Sequence, residues 1–290
     1  MHRELRARRL RAMLLLAATC ALSLSMPIGK ATPAQIDSAL GALSQCPDLA
    51  SRIDEISARF LGEPYVQDPL GEGKPPDADP TIDLRHVDCV TFVEETIALA
   101  LSKRYADARA LLQRIRYQGS EIEFTERNHF TEAQWLPQNL RKGFLADVTR
   151  AVSGAKTRST TMRFDDATWR RFPAWRKKLG ANAPRGTFEM DYVPANVAWR
   201  LADRFPNGSV VVVLRAPRRS APTRISHMGL IVWKAKHPFV RHASRRHGKV
   251  LDVALRPWLR SLETYAKIGK RWAVDGVSVY QITAPPQVIP

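Results

Sequence analysis

Read from its amino acids alone, the chain is an α+β protein: a helical first half that carries one cysteine, followed by an antiparallel sheet. Two observations predict this. Apolar residues as far as Ile115 recur at three- and four-residue spacing, the period of helices with one buried face. The carboxyl third instead holds short β-branched runs bounded by turn residues, beginning after Asn207-Gly208.

Residues 1–31 read as a secretory leader. Arg3, Arg6, Arg8, Arg9 and Arg11 precede an uncharged run from Ala12 to Gly29, and Gly29-Lys30-Ala31 offers small residues where a signal peptidase cuts. A retained membrane span is the weaker reading, because Ser23, Ser25, Pro27 and Gly29 interrupt a run already marginal in length. Lipid attachment at Cys20 is disfavoured, since Ala17-Ala18-Thr19 is a poor acylation box. The expected product is a single domain, residues 32–290, exported to the periplasm.

From Pro33 to Phe60 the pattern is helical, with Ile36, Leu40, Leu43, Ile53, Ile56 and Phe60 on one stripe, and Gly62 ends it. Residues 62–83 are rich in Gly, Pro and Asp and predict an irregular surface loop. Asp88 is then a natural helix cap and Cys89 the first helical residue, with Val90, Val93, Ile97 and Leu101 forming the buried stripe. A further helix spans Ala106 to Ile115, and residues 147–190, polar and aperiodic, read as an insertion. Strands are expected at Ser209–Leu214, Ile225–Trp233, Phe239–Ser244, Lys249–Val253 and Val277–Ile282.

The chain has a net charge of +17; the leader holds six Lys/Arg and one Glu, so residues 32–290 keep +12. An exported basic chain meets anionic envelope polymers and acidic peptides rather than nucleic acid. The basic runs Arg215–Arg224 and Arg241–Lys249 also lack the interleaved aromatics that a single-strand binder uses, and read as solvated faces.

Cys89 is the candidate nucleophile. Unpaired N–H groups and the positive end of the helix favour thiolate there. The dipole contributes roughly 0.3 to 1 kcal/mol, however, which moves a thiol near 8.5 by less than about one unit. A base is therefore required. The competing readings are a small buried cysteine and a Cys46–Cys89 disulfide, which would abolish thiol chemistry.

His227 and His242 are the candidate bases. Both lie in apolar strands, where an imidazole needs a polar partner or a cleft, and Gly229 marks a close backbone approach. A hairpin turning at Lys234-Ala235 would set His227 directly across from His242. His227 would then take the thiol proton while His242 fixes its tautomer. The chain has no H-E-x-x-H, no C-x-x-C and no G-x-S-x-G, so neither a metal site, nor any other cofactor, nor a serine nucleophile is expected.

The order of Gly62-Glu63-Pro64-Tyr65, Asp88-Cys89, Ser226-His227-Met228-Gly229 and His242-Ala243-Ser244 resembles the NlpC-type cysteine peptidases of bacterial cell walls, within the papain-like superfamily. Pro69-Leu-Gly-Glu-Gly, Asp88-Cys-Val-Thr-Phe-Val-Glu, Arg127-Asn-His-Phe and Asn196 before a strand resemble more closely an N-acetylmuramoyl-L-alanine amidase-like subfamily. The resemblance spans most of residues 50–283 and implies a papain-like fold. It also implies a Cys89–His227–His242 site and contacts to substrate from Tyr65, Asp88, Asn128, His129 and Ser226. Tyr65 stands unusually far ahead of the cysteine for this pattern. The implied substrate is peptidoglycan or its muropeptides, cut at N-acetylmuramoyl-L-alanine by a monomer. A γ-D-glutamyl endopeptidase and a non-catalytic wall-binding module are the alternatives.

Overall fold

The structure is a computed structural model that describes residues 26–46, 48–70, 77, 82–267 and 273–285. Most of the leader pattern, with Cys20, and the middle of the Pro/Gly loop lie outside these residues.

Helices α1 (Pro33–Leu43) and α2 (Leu49–Ala58) replace the continuous helical run that the sequence predicts. Each has its own cap: the Thr32 hydroxyl accepts from Gln35 N, and the Asp48 carboxylate from Ser51 N. Cys46 lies between them and is disulfide-bonded. Cys89 is a free thiol, so the Cys46–Cys89 bridge is overturned.

Helix α3 (Cys89–Ala100) is buried all round rather than along one stripe, because α2, α4 (Tyr105–Arg116) and the sheet enclose it. Two carboxylates are buried with it. Glu94 accepts from Arg116 Nε at 2.7 Å and from Trp135 Nε1 at 2.9 Å, and Glu95 accepts from the Asp83 N–H at 3.2 Å. Burial lifts Glu95 well above the usual carboxylate range.

The sheet comprises β1 (Leu145–Asp147), β2 (Arg158–Phe164), β3 (Gly186–Pro194), β4 (Ser209–Arg215), β5 (Ile225–Lys234), β6 (His237–Ser244), β7 (Lys249–Ala254) and β8 (Val274–Ile282). Its order is β2-β3-β8-β4-β5-β6-β7, with β1 on β8, and every pairing is antiparallel. Residues 147–190 are more ordered than their composition predicts. They contribute β2 and most of β3 to the sheet edge, and Met162, Phe164, Trp169 and Leu179 join the main core.

Strand β4 is apolar on both faces. Val210, Val212 and Leu214 pack with the helical half, whereas Val211 and Val213 face a second core with Phe205, Leu255 and Leu259. The sheet therefore has a covering layer on each side, the second supplied by α5 (Leu255–Lys267) together with the short helical segment 195–204. No helix among the described residues is long and apolar enough to cross a membrane.

Residues Ile28–Lys30, which the sequence pattern assigns to the leader, pack into the domain. Ile28 is buried, its N–H reaches Arg59 O at 2.9 Å, and the Gly29 N–H reaches Glu63 Oε1 at 3.1 Å. A Cβ on Gly29 would meet Arg85 Cα and Leu84 O at 2.9 Å, so this segment fits only as glycine.

Candidate active site

Asp88 caps α3 through Oδ1, which accepts from Val90 N and Thr91 N at 2.9 Å each, while Asp88 N donates to Thr91 Oγ1. The reciprocal box fixes Cys89 at the first turn. The N–H groups of Met228, Cys89 and Val90 face the sulfur and favour thiolate. They do not prevail: burial first, and the Asp88 carboxylate second, push the thiol up to about 12. The resting group is a protonated thiol, consistent with the small size of the dipole effect.

The hairpin register differs from the expected one. Lys234 pairs with His237 and Leu230 with Arg241, so the turn is Ala235-Lys236, both at positive φ (46° and 69°), rather than Lys234-Ala235. The slip is an even one, which keeps His227 and His242 on a common face but makes them diagonal neighbours. Their rings still meet, with His227 Nε2 2.7 Å from His242 Nδ1 and the planes at 81°.

Gly229 permits this approach. A Cβ there would lie 2.9 Å from His242 Cβ and 3.0 Å from Arg241 O. Burial, then His242, then Arg215 push His227 down to about 3, and burial with His247 pushes His242 down to about 4. Both imidazoles are therefore neutral near pH 7.

The β5–β6 ladder begins at Leu230–Arg241, and beyond it β5 presents its Met228 N–H to the Cys89 sulfur. Met228 follows His227 directly in the chain, which sets the cysteine helix against the strand that carries His227. Among the described residues no hydrogen bond joins the Cys89 sulfur to His227.

Tyr65 reaches the site despite its distance in sequence. Val66 N donates to Val87 O at 3.1 Å and Val87 N to Pro64 O at 3.2 Å, closing the long loop so that Tyr65 pairs beside Asp88-Cys89. Burial, with the neighbouring Cys89 and Asp88, pushes the Tyr65 hydroxyl up to about 12. It is a donor at neutral pH.

The other expected contacts divide. Ser226 Oγ accepts from Arg215 Nε at 2.7 Å beside His227. Asn128 and His129 are engaged elsewhere: Asn128 Nδ2 donates to Ile115 O, and His129 Nε2 lies 2.6 Å from Phe124 O with its ring against Phe124 and Trp175. Burial pushes His129 down to about 4, as for a satisfied interior histidine.

The sequence reading missed Trp258. It projects from α5 with its ring centroid 6.4 Å from that of His227 and 6.1 Å from that of His242. Leu255, Leu259 and Leu262 recur at helical spacing around it and were the available signal.

The AmiA-like family model, described as N-acetylmuramoyl-L-alanine amidase-like, matches residues 55–265. The chain belongs to this amidase-like family. Cys89, His227, His242, Tyr65 and Trp258 all fall within the matched span of this amidase-like chain.

A crystal structure of a Legionella pneumophila protein assigned to the DUF1460 family superposes with a TM-score of 0.72 at 22% identity, covering 87% of this chain and 95% of that one. The structure of an N-acetylmuramoyl-L-alanine amidase from Bacteroides uniformis gives 0.62 at 24% identity, covering 81% and 99%. At these identities the likeness is one of fold. A search of curated proteins returned no match.

Proposed function

We propose that this protein is an exported peptidoglycan amidase of NlpC-type, papain-like architecture that cuts the amide between N-acetylmuramic acid and L-alanine, with Cys89 as nucleophile. One observation carries the reading: a free thiol at a capped helix start abuts a strand whose His227 is hydrogen-bonded, through Nε2 at 2.7 Å, to His242.

His227 Nε2 is occupied by His242, so Nδ1 is the atom left to take the thiol proton. For Nδ1 to accept, Nε2 must carry the hydrogen and donate to His242 Nδ1. His242 then holds its own hydrogen on Nε2, a buried atom without a partner among the described residues.

The neutral thiol and neutral imidazole are the correct reactants for a step in which proton transfer accompanies attack. The sulfur adds to the amide carbonyl while the Cys89 N–H and the Tyr65 hydroxyl face the developing oxyanion. The proton held on His227 passes to the departing alanine nitrogen, leaving a thioester between Cys89 and the muramoyl lactyl group. Water, deprotonated by His227, releases it and restores the thiol. Catalytic hydrogen bonds commonly tighten only in the substrate complex, which accommodates the absence of a direct sulfur–imidazole bond.

A non-catalytic wall-binding module is favoured by that same absence together with the protonated resting thiol. Digestion of purified muropeptides separates the readings. The amidase yields N-acetylmuramic acid and a peptide beginning with L-alanine, a γ-D-glutamyl endopeptidase leaves L-alanine on the sugar, and the binding module yields neither.

A further inference from the structure

The chemistry above makes no use of the strong positive charge, which the fold sorts into two kinds. Arg224 and Arg241, the innermost members of the two basic runs, are buried. Arg224 pairs with Asp275, and Arg241 pairs with Asp54 and Asp252. The remaining cations of these runs, Arg215, Arg218, Arg219, Arg245, Arg246 and Lys249, lie in or beside the connections between β4 and β5 and between β6 and β7. Since β4, β5, β6 and β7 are successive antiparallel neighbours, both connections fall at one end of the sheet. His227 lies near the start of β5 and His242 near the end of β6, so this is also the end where Cys89 meets Met228.

Two arginines flank the site, Arg215 on β4 and Arg245 in the β6–β7 turn. Arg215 donates from Nε to Ser226 Oγ at 2.7 Å, and its charge acts on the adjoining His227. Arg245 opens the β6–β7 turn, which is strapped to Tyr65 by the Tyr65 N–H to Gly248 O bond of 2.9 Å and by the Pro64–Lys249 pairing. Its charge acts on Tyr65, and it is exposed, with no ion pair among the described residues. A guanidinium beside a base disfavours the imidazolium that catalysis must form, and a carboxylate bound against it offsets that effect.

We propose that Arg215 and Arg245 read a carboxylate of the substrate, holding an acidic peptide stem by the free α-carboxylate of its second residue, one peptide bond beyond the scissile amide. This rests on the peptidoglycan reading, in which the anions nearest such an amide are carboxylates, the groups a guanidinium binds in a planar, bidentate manner.

The test is calorimetric titration of the Cys89→Ala protein with N-acetylmuramoyl-L-alanyl-D-glutamate and with the same compound amidated at its α-carboxylate. The acid is expected to bind at least about tenfold more tightly than the amide, a preference that falls as salt rises from about 50 to about 500 mM. Adding Arg245→Ala or Arg215→Gln should reduce the preference to less than about threefold, while Arg215→Lys, which keeps the charge, should retain part of it. Equal binding of the two compounds, no binding of either, or a preference that survives both substitutions overturns the proposal. A wild-type protein that shows the preference yet cleaves neither compound removes the amidase reading and leaves carboxylate recognition standing.

Discussion

His227 Nε2 lies 2.7 Å from His242 Nδ1 although the two residues are diagonal, not opposed, across the β5–β6 hairpin. The contact depends on Gly229, where the strands approach too closely for a Cβ, and it consumes one nitrogen of each ring. His242→Ala is therefore expected to lower kcat by about 100-fold or more with little change in KM, because His227 loses the partner that fixes its tautomer. Steady-state kinetics on a muropeptide substrate checks this. A rise in KM at unchanged kcat would assign His242 to binding instead.

Gly229→Ala tests the same geometry without touching a titratable group. The new methyl must displace β6 by a few tenths of an ångström at His242 Cβ. Activity should fall at least about tenfold while the melting temperature drops only slightly, by the amount a one-methyl overpacking of about 1–3 kcal/mol allows. Unimpaired turnover would mean that the His227–His242 spacing is not critical.

Acid should destabilise the fold through its histidines. His129, His227 and His242 are pushed below the ordinary value of 6.5, to about 4, about 3 and about 4, so the unfolded chain protonates first. Their contribution is complete above pH 6.5 and is lost as pH falls from there towards 4. For His129 the loss reaches about 1.4 kcal/mol per pH unit. Thermal melts from pH 7.5 to 5 read the effect, and His129→Phe should flatten part of the slope. The same neutral state of His227 and Cys89 predicts a kcat/KM that is level between pH 6 and 8.

Arg116→Met should be severe. It strands the Glu94 carboxylate, which is buried on α3 with Trp135 Nε1 as its other donor. Removing one partner of a buried pair costs about 3–5 kcal/mol, whereas replacing both Arg116 and Glu94 with apolar residues should recover part of it. Denaturant unfolding of the single and double variants measures the difference, and a double variant no better than Arg116→Met would locate the cost elsewhere.

Ile28 joins the helical core, so a protein beginning at Thr32 should melt lower than one beginning at Met26. Burial of an isoleucine side chain corresponds to about 1.5–3 kcal/mol. Equal melting temperatures would show that the Ile28–Lys30 segment contributes nothing to stability.

Much of this was legible in the sequence, wherever a local period or cap dictated the structure. Asp88 as cap, Cys89 as first helical residue, and the strands bearing His227 and His242 all follow from short-range pattern. Tyr65 was read from motif resemblance alone, and the structure supplies the reason it arrives: a pairing with Val87 that closes the long loop. The hairpin slipped because Ala235 and Lys236 adopt positive φ without glycine or asparagine to announce it. The contacts of Asn128 and His129 could not be read from sequence, because a polar pair in a loop looks the same whether or not it bonds inward, as here to Ile115 O and Phe124 O. The second covering layer was signalled by β4, whose unbroken apolar run has no solvent face, but its helix was not read from Leu255, Leu259 and Leu262.

The central claim is that Cys89 carries the chemistry, and the most direct measurement is the cleavage of N-acetylmuramoyl-L-alanyl peptide by wild-type and Cys89→Ala proteins, followed by the mass of the released sugar. The account predicts release of N-acetylmuramic acid by the wild type and none by Cys89→Ala, with both proteins equally folded. Release at the wild-type rate by Cys89→Ala would contradict it.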